Sequence, residues 1–135
     1  MKKDILLIAH FCGDFDSKDN NRFNYLASIF AKKNFVVELI TSDFSHSKKK
    51  KRNKIITGDV NYKVTLIEEP PYRKNVSLKR LYSHHIMGYN LNKYLKNRKN
   101  PDVIYCSAPS FDIARVAAKY AKENNIKYII DIQDL

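Results

Sequence analysis

Continuous apolar runs alternate along the chain with segments whose apolar residues recur every three or four positions. The runs at residues 4–10, 35–41, 103–106 and 127–132 are typical of strands buried on both faces of a parallel sheet. A further run at 62–68 alternates apolar and polar residues before Pro70 and Pro71 end it, which favours a strand nearer the sheet edge. The pattern therefore predicts five strands.

Helical periodicity fills three of the intervals between these runs. Asn20 or Asn21 can cap the first predicted helix and Asn34 can end it, Ser77 caps a second helix that runs to about Arg98, and Ser110 caps the third. Each helix has one predicted buried face. These faces comprise Phe23, Leu26, Ala27, Phe30 and Ala31 in the first helix, Leu78, Leu81, Tyr82, Ile86 and Tyr89 in the second, and Ile113, Val116, Ala117, Tyr120 and Ala121 in the third.

The alternation of strands and helices predicts an α/β domain. Right-handed crossovers place the helices on both faces of a parallel sheet, and we expect the strand order 3-2-1-4-5. Ligands bind such sheets beyond the carboxyl ends of the strands where the order reverses, here between strands one and four. The loops at 10–20 and 107–110 flank that crevice. The last strand carries Ile129, Ile130 and Ile132 without a covering helix, so we expect either a longer protein or a partner that covers it.

Length and cysteine content narrow the class of protein. The 135 residues make one domain, and no apolar stretch is long enough for a membrane span or a signal peptide, which predicts a cytosolic protein. Cys12 and Cys106 lack the spacing of a disulfide framework or a zinc motif, so both are predicted to be buried or half-buried thiols. No metal site is predicted, because the adjacent His84 and His85 point in different directions from a helix. The acidic loop (Asp14, Asp16 and Asp19) also lacks the glycine and glutamate of a calcium loop.

The loop after the first strand is a poor phosphate site. It lacks both GxGxxG and a Walker sequence, and its aspartates repel phosphate, which argues against a dinucleotide cofactor. Arg22, in the first turn of the next helix, could instead reach an anionic group in the crevice. An exposed arginine at a helix terminus is the alternative.

The formal charge of +11 is concentrated in a lysine-rich run. Residues 42–61 are predicted to form a mobile loop, and its cations could dock the protein on anionic lipid at about 1 kcal/mol each. Nucleic acid would attract the same cations. The lysine-rich run has no aromatic residues between its cations for base stacking, so nucleic acid is not the expected partner. A solvated run without a specific partner is the other alternative. The predicted docking residues are Lys48, Lys49, Lys50, Lys51, Arg52 and Lys54.

Several segments in succession carry a family resemblance. NRFNYLASIFAKKN at 21–34, VVELIT at 36–41, PDVIYCSAP at 101–109 and IIDIQDL at 129–135 resemble the amino-terminal half of family 4 glycosyltransferases. The resemblance is nearest to members that build bacterial capsule or O-antigen polysaccharide. It implies one half of a GT-B fold, a Rossmann-like domain that binds the sugar acceptor, while a second half that this chain lacks holds the nucleotide-sugar.

The resemblance also implies a function and a set of site residues. The full-length enzyme would transfer a sugar from a nucleotide-sugar to a lipid-linked saccharide at the cytoplasmic membrane face, without a cofactor, and the fragment alone would be inactive. The family's glycine-rich loop is reduced here to Gly13. Gln133 stands where many members have histidine or arginine, and a glutamine cannot replace a histidine as an acid or base. A stand-alone binding module and a basic nucleic-acid-binding domain are the alternatives. The implied catalytic residues are Gln133 and Asp134, and the substrate-binding residues are His10, Gly13, Arg22, Ser107 and Pro109.

Overall fold

A computed structural model describes residues 2–13, 22–52, 60–108 and 110–132. The helices are α1 (Arg22–Lys32), α2 (Leu78–Lys96) and α3 (Phe111–Glu123). The strands in these ranges are β1 (Asp4–Ile8), β2 (Val36–Ser42), β3 (Phe44–Ser45), β4 (Lys50–Lys51), β5 (Lys63–Ile67), β6 (Val103–Ser107) and β7 (Lys127–Asp131).

Five of the strands form one parallel sheet in the order β5-β2-β1-β6-β7. Ile5 of β1 pairs with Val37 on one side and with Val103 on the other, so β1 is the central strand. The predicted α/β class and the predicted order 3-2-1-4-5 are both confirmed. The alternating strand at 62–68 lies at the sheet edge, as its pattern indicates.

The helices cover both faces of the sheet. Leu6 and Ile8 of β1 point toward α2 and α3, where they pack in one core with Leu91 and Ile113. The alternate residue Leu7 points to the other face and packs with Phe23 of α1 in a second core. This two-sided burial explains why the central strands have continuous apolar runs.

The helix ends agree in part with the capping residues predicted from the sequence. Asn34 takes the left-handed conformation after α1, with φ of 74°, and Ser77 caps α2 by accepting a hydrogen bond from the Arg80 amide. Ser110 occupies the N-cap position of α3, but its hydroxyl makes no capping bond. Asn20 and Asn21 lie outside the described residues. No helix in the described part of the chain has the length and hydropathy that crossing a bilayer requires.

The face predicted to be buried on α2 is wrong. Leu78, Leu81, Tyr82 and Tyr89 are all more than half exposed, and Ile86 is only partly buried. The buried face is offset around the helix and contains small and polar residues among its apolar ones, which hid it from a hydrophobicity pattern. It consists of Ser83, His84, Met87, Gly88, Leu91 and Leu95.

The predicted mobile loop at 42–61 is also wrong over its described part. β3 and β4 form an antiparallel hairpin in which Phe44 pairs with Lys51. The buried Phe44 ring anchors the hairpin, and the Asp43 amide donates to the Ile67 carbonyl at the end of β5. Lys49 adopts a φ of 53° in the turn. The described part of the basic run, residues 48–52, therefore lies on a hairpin whose backbone is hydrogen-bonded to the end of β5.

A buried charged cluster lies near the amino-terminal ends of the strands. Glu38 of β2 is 3% exposed and accepts hydrogen bonds from Thr65, Tyr94 and Arg98, the last at 2.5 Å. Arg98 also pairs with Asp4 at 3.1 Å. Burial acts to raise the pKa of Glu38, but these hydrogen bonds and the Arg98 charge outweigh it, so the pKa lies below its ordinary value of 4.5.

Candidate functional site

Three buried side chains meet at the carboxyl-terminal end of the sheet. His10 follows β1, Glu69 follows β5, and His84 belongs to α2; they are 1%, 1% and 8% exposed. One ligating atom from each lies within 4.8 Å of the other two. Parallel strands end at the same edge of a sheet, and this explains how residues distant in sequence come together here.

Glu69 is the acceptor at the centre of this group. His10 Nε2 donates to both carboxylate oxygens, at 2.9 and 2.8 Å, and Ser42 Oγ donates to Oε1 at 2.6 Å. Burial acts to raise the pKa of Glu69, but the hydrogen bond and charge of His10 outweigh it and lower the pKa. The carboxylate is therefore ionised at neutral pH and oriented by two donors.

His84 approaches the same carboxylate without bonding to it. Its Nε2 lies 3.9 Å from Glu69 Oε2, beyond hydrogen-bond distance, and has no hydrogen-bond partner. Burial, followed by the charge on His10, lowers the pKa of His84 to about 4. The neutral imidazole consequently has one ring nitrogen whose hydrogen-bonding capacity is unused.

Aromatic rings enclose the three side chains. His10 stacks on Phe11 with 4.5 Å between ring centroids, and Tyr72 packs edge-on to His84 at 5.8 Å. His46 Nδ1 lies 2.5 Å from the Tyr72 hydroxyl, and burial, aided by the Glu69 charge, raises the pKa of Tyr72 to about 12. These rings cover the cluster except on the side where His84 lines a cleft.

Two clefts open on either side of the start of α2, and Ser77 lines both. The first, of about 580 Å³, is basic: Lys49, Arg73, Lys74 and Lys79 line it, and none of the described residues in its walls is acidic. We call it the basic cleft. Such a concentration of cations favours an anionic ligand or surface.

The second cleft, of about 600 Å³, has exposed apolar residues at its rim and also Arg80 and Asp112 in its walls; we call it the apolar cleft. Val76, Leu78 and Phe111 in its walls are 93%, 82% and 81% exposed. Its walls also include His84 and Ser110, and neither His84 Nε2 nor Ser110 Oγ has a hydrogen-bond partner. The two clefts together present adjacent cationic and apolar surfaces at the end of the sheet where ligands bind.

The predicted substrate-binding residues do not form one open surface. His10 and Ser107 are each 1% exposed, and Gly13 is exposed with its carbonyl accepting from Arg52. Arg22 pairs with Asp131 at 2.6 Å on the α1 side of the sheet, away from His10. Pro109, Gln133 and Asp134 lie outside the described residues.

The predicted docking residues differ in their surroundings. Lys51 pairs with Asp43 at 3.0 Å, Arg52 donates to the Cys12 carbonyl, and Lys49 Nζ lies 5.2 Å from the centroid of the Tyr72 ring. Lys48 and Lys50 are exposed on the hairpin. Lys54 lies outside the described residues.

Sequence reasoning missed Glu69 and the environment of His84. A usable signal was present for Glu69, because Glu69 directly follows a predicted strand. The carboxyl end of that strand lies at the same edge of the sheet as His10. For Arg80, which donates to the Asn75 carbonyl and lies 5.9 Å from the Phe11 ring centroid, no comparable signal exists. Both cysteine thiols are buried, and burial raises the pKa of Cys106 to about 12.

Comparison with known proteins identifies the fold and leaves the activity open. No protein-family model matches the chain, and no curated protein matches it. Two crystal structures of the C-terminal domain of a hydrogenase from Pyrococcus furiosus are similar, with TM-scores of 0.61 and 0.58, at 15% and 14% identity. Each covers 97% of this chain, and the aligned parts make up 93% and 94% of the domain structures.

A pantoate-beta-alanine ligase from Francisella tularensis aligns with 99% of this chain and 60% of its own, at 10% identity and a TM-score of 0.45. At such identities, the likeness to the hydrogenase domain establishes a shared Rossmann-like α/β fold and nothing about activity.

Proposed function

We propose that the chain is the acceptor-binding domain of a glycosyltransferase that transfers a sugar from a nucleotide-sugar to a lipid-linked saccharide at an anionic membrane surface. The succession of family 4-like segments supports this, as does the Rossmann-like sheet expected of one half of a GT-B enzyme. The observation that carries the proposal is the pair of clefts around the start of α2.

A lipid-linked saccharide has three chemically different parts, and the clefts offer surfaces for two of them. Its phosphate groups suit the basic cleft, where Arg73, Lys74 and Lys79 supply charge and no described lining residue is a carboxylate. Its hydrocarbon chain suits the apolar cleft, because Val76, Leu78 and Phe111 are exposed together beside Ser77. Large exposed apolar side chains next to cations are typical of surfaces that meet a membrane.

The hairpin extends the cationic surface. Lys49 belongs to both the hairpin turn and the basic cleft, so Lys48 and Lys50 are displayed beside the walls of the basic cleft. The Asp43 amide donates to the Ile67 carbonyl, so the hairpin backbone is held against the end of β5. In this proposal the hairpin holds the domain on the bilayer while the clefts select the acceptor.

Vesicle co-sedimentation tests both parts of the proposal. We expect the chain to bind vesicles containing a polyprenyl-diphosphate-linked saccharide more tightly than phosphatidylglycerol vesicles of equal charge. Leu78→Ser with Phe111→Ser should remove that preference, and Tyr25→Ser, an exposed apolar residue on α1 that is 65% exposed, should retain it. Equal binding to both vesicles by the unmodified chain would refute acceptor recognition.

Salt and lysine variants separate docking from recognition. Lys48→Ser with Lys50→Ser should weaken binding to both vesicle types about thirtyfold, since each lysine contributes about 1 kcal/mol at an anionic surface. Added salt should weaken binding in the same way, because exposed charges are screened. Displacement by single-stranded or duplex nucleic acid at equal charge concentration would favour the nucleic-acid-binding alternative.

A further inference from the structure

The cluster of His10, Glu69 and His84 has the composition of a transition-metal site. Two imidazoles and one carboxylate form a common ligand set for zinc, and three protein ligands leave one position open in a tetrahedral site. Each ligand comes from a different part of the fold: after β1, after β5 and within α2. Such a site would join the sheet to the helix that carries both clefts.

We infer that His10 Nε2, Glu69 and His84 Nε2 bind one zinc ion. This inference is independent of the proposed glycosyltransferase function, because it rests on the three buried side chains alone. A zinc site differs from the sequence-based expectation that the chain has no metal site. That expectation rested on the adjacent His84 and His85, whereas His10 and Glu69 approach His84 only in the folded chain.

Two of the three distances between ligating atoms are close to those of a zinc site, and all three are within 4.8 Å. Zinc–nitrogen and zinc–oxygen bonds near 2.0–2.2 Å place two tetrahedral ligands about 3.3 Å apart. His84 Nε2 and Glu69 Oε2 are separated by 3.9 Å, and His10 Nε2 and Glu69 Oε2 by 2.8 Å. Displacements of roughly half an ångström bring both pairs to the ligand separation, with the ion replacing the proton between His10 and Glu69.

The unpaired nitrogen of His84 is the observation that points to a ligand. Buried polar atoms are almost always hydrogen-bonded, yet His84 Nε2 is buried beside a carboxylate and has no partner. A metal ion would accept a lone pair from His84 Nε2 and another from Glu69 Oε2. His84 also lines the apolar cleft, which gives an ion and its fourth ligand a path from solvent.

Neighbouring groups favour zinc over a hard cation. Ser42 Oγ holds Glu69 Oε1, which orients the carboxylate as outer-shell donors commonly do in metal sites. Imidazole ligands suit zinc, whereas magnesium and calcium prefer oxygen ligands. The Arg80 guanidinium lies next to the cluster and reduces affinity for any cation, so the full ligand set is needed for binding.

Metal titration of the chelator-treated chain tests the inference. We expect one equivalent of Zn²⁺ to bind in competition with a chromophoric chelator and to raise the Tm, with no such effect from Mg²⁺. Co²⁺ should give the visible absorption of a tetrahedral site. His84→Gln and Glu69→Gln should each weaken Zn²⁺ binding by about a hundredfold, or about 2.7 kcal/mol.

The adjacent histidine provides a matched control. His85 has a side chain 76% exposed and faces Asp112, so His85→Gln should bind Zn²⁺ like the unmodified chain. Circular dichroism of each variant shows whether it is folded, and Glu69→Gln, which preserves the side-chain shape, tests the site should His84→Gln unfold. Equal Zn²⁺ affinity in the unmodified chain and in a folded His84→Gln or Glu69→Gln variant would refute the site, as would loss of binding in His85→Gln.

Discussion

Glu38 is a buried carboxylate that depends entirely on its partners. Removing a charge from water is costly, and three donors compensate for it: Thr65, Tyr94 and Arg98. Arg98 in turn is 14% exposed and divides its charge between Glu38 and Asp4. The cluster joins the end of α2 to three strands, β1, β2 and β5, so its loss should lower the stability of the whole domain.

We predict that Glu38→Gln lowers the free energy of unfolding by about 3 kcal/mol at pH 7, because it leaves a partly buried arginine without its nearest carboxylate. The folded-state pKa of Glu38 lies below 4.5, so its contribution is present above that pH and is lost as pH falls through the lowered pKa. The variant should therefore lose less stability than the unmodified chain on acidification. Urea unfolding at several pH values measures both effects.

The exposed Glu123 of α3 provides the control for this experiment. Glu123→Gln should leave the free energy of unfolding within about 0.5 kcal/mol of the unmodified chain at every pH. Glu69 also has a lowered pKa, so some acid sensitivity should persist in Glu38→Gln. An unchanged pH profile in Glu38→Gln would contradict the assigned role.

At the scale of elements, α2 is the helix whose two sides serve different purposes. Its buried side packs Leu91 and Leu95 into the core shared with α3, and its exposed apolar side forms a wall of the apolar cleft. The helix is therefore apolar around much of its circumference. This distribution is expected of a helix that contacts a core on one side and a second apolar surface on the other.

Leucine-to-alanine substitutions on α2 should distinguish these two sides. Leu91→Ala removes a fully buried side chain and should cost about 3 kcal/mol of unfolding free energy. Leu81→Ala, at a position 63% exposed, should change it by less than about 0.5 kcal/mol. Thermal or urea unfolding measures both changes. An equal loss of unfolding free energy in Leu81→Ala and Leu91→Ala would support the buried face predicted from periodicity.

The sequence predicted element types and their order better than it predicted faces and long-range contacts. Continuous apolar runs and right-handed crossovers leave few ways to order five strands, so the sheet follows from local pattern. On α2, apolar residues occur on both sides of the helix. The buried side also contains Ser83, His84 and Gly88, which lower its hydrophobicity, so periodicity selected the wrong face.

The site was predictable only in part, because side-chain approach depends on tertiary structure. His10 was identifiable from its place after a buried strand. Whether it contacts Glu69 depends on how both side chains lean across β2, since strands with one neighbour between them are about 9–10 Å apart. Side-chain directions at strand ends are set by packing that no local pattern records.

At the scale of the whole molecule, the sheet is asymmetric. Its outer strand β7 pairs with β6 on one side, and among the described strands none pairs with its other edge. Ile129 is 52% exposed and Ile132 60% exposed at this edge. An uncovered apolar edge strand is a template for pairing with another chain.

We predict that the chain self-associates through β7 as concentration rises. Ile129→Thr should reduce association while changing the free energy of unfolding by less than about 0.5 kcal/mol, because the residue is already half exposed. Sedimentation velocity over a concentration series measures this. Tyr25→Thr on α1 is the control and should associate like the unmodified chain; a monomeric chain at all concentrations would contradict the prediction.

The central position of β1 has a consequence for biosynthesis. Ile5 emerges from the ribosome before both of its partners, and it can pair with Val37 first but with Val103 only after the long segment between them has been made. Until then, one side of the most apolar strand has no native neighbour. Closing so long a segment of chain is entropically slow, so the nascent domain passes through an interval in which mispairing competes with completion of the sheet.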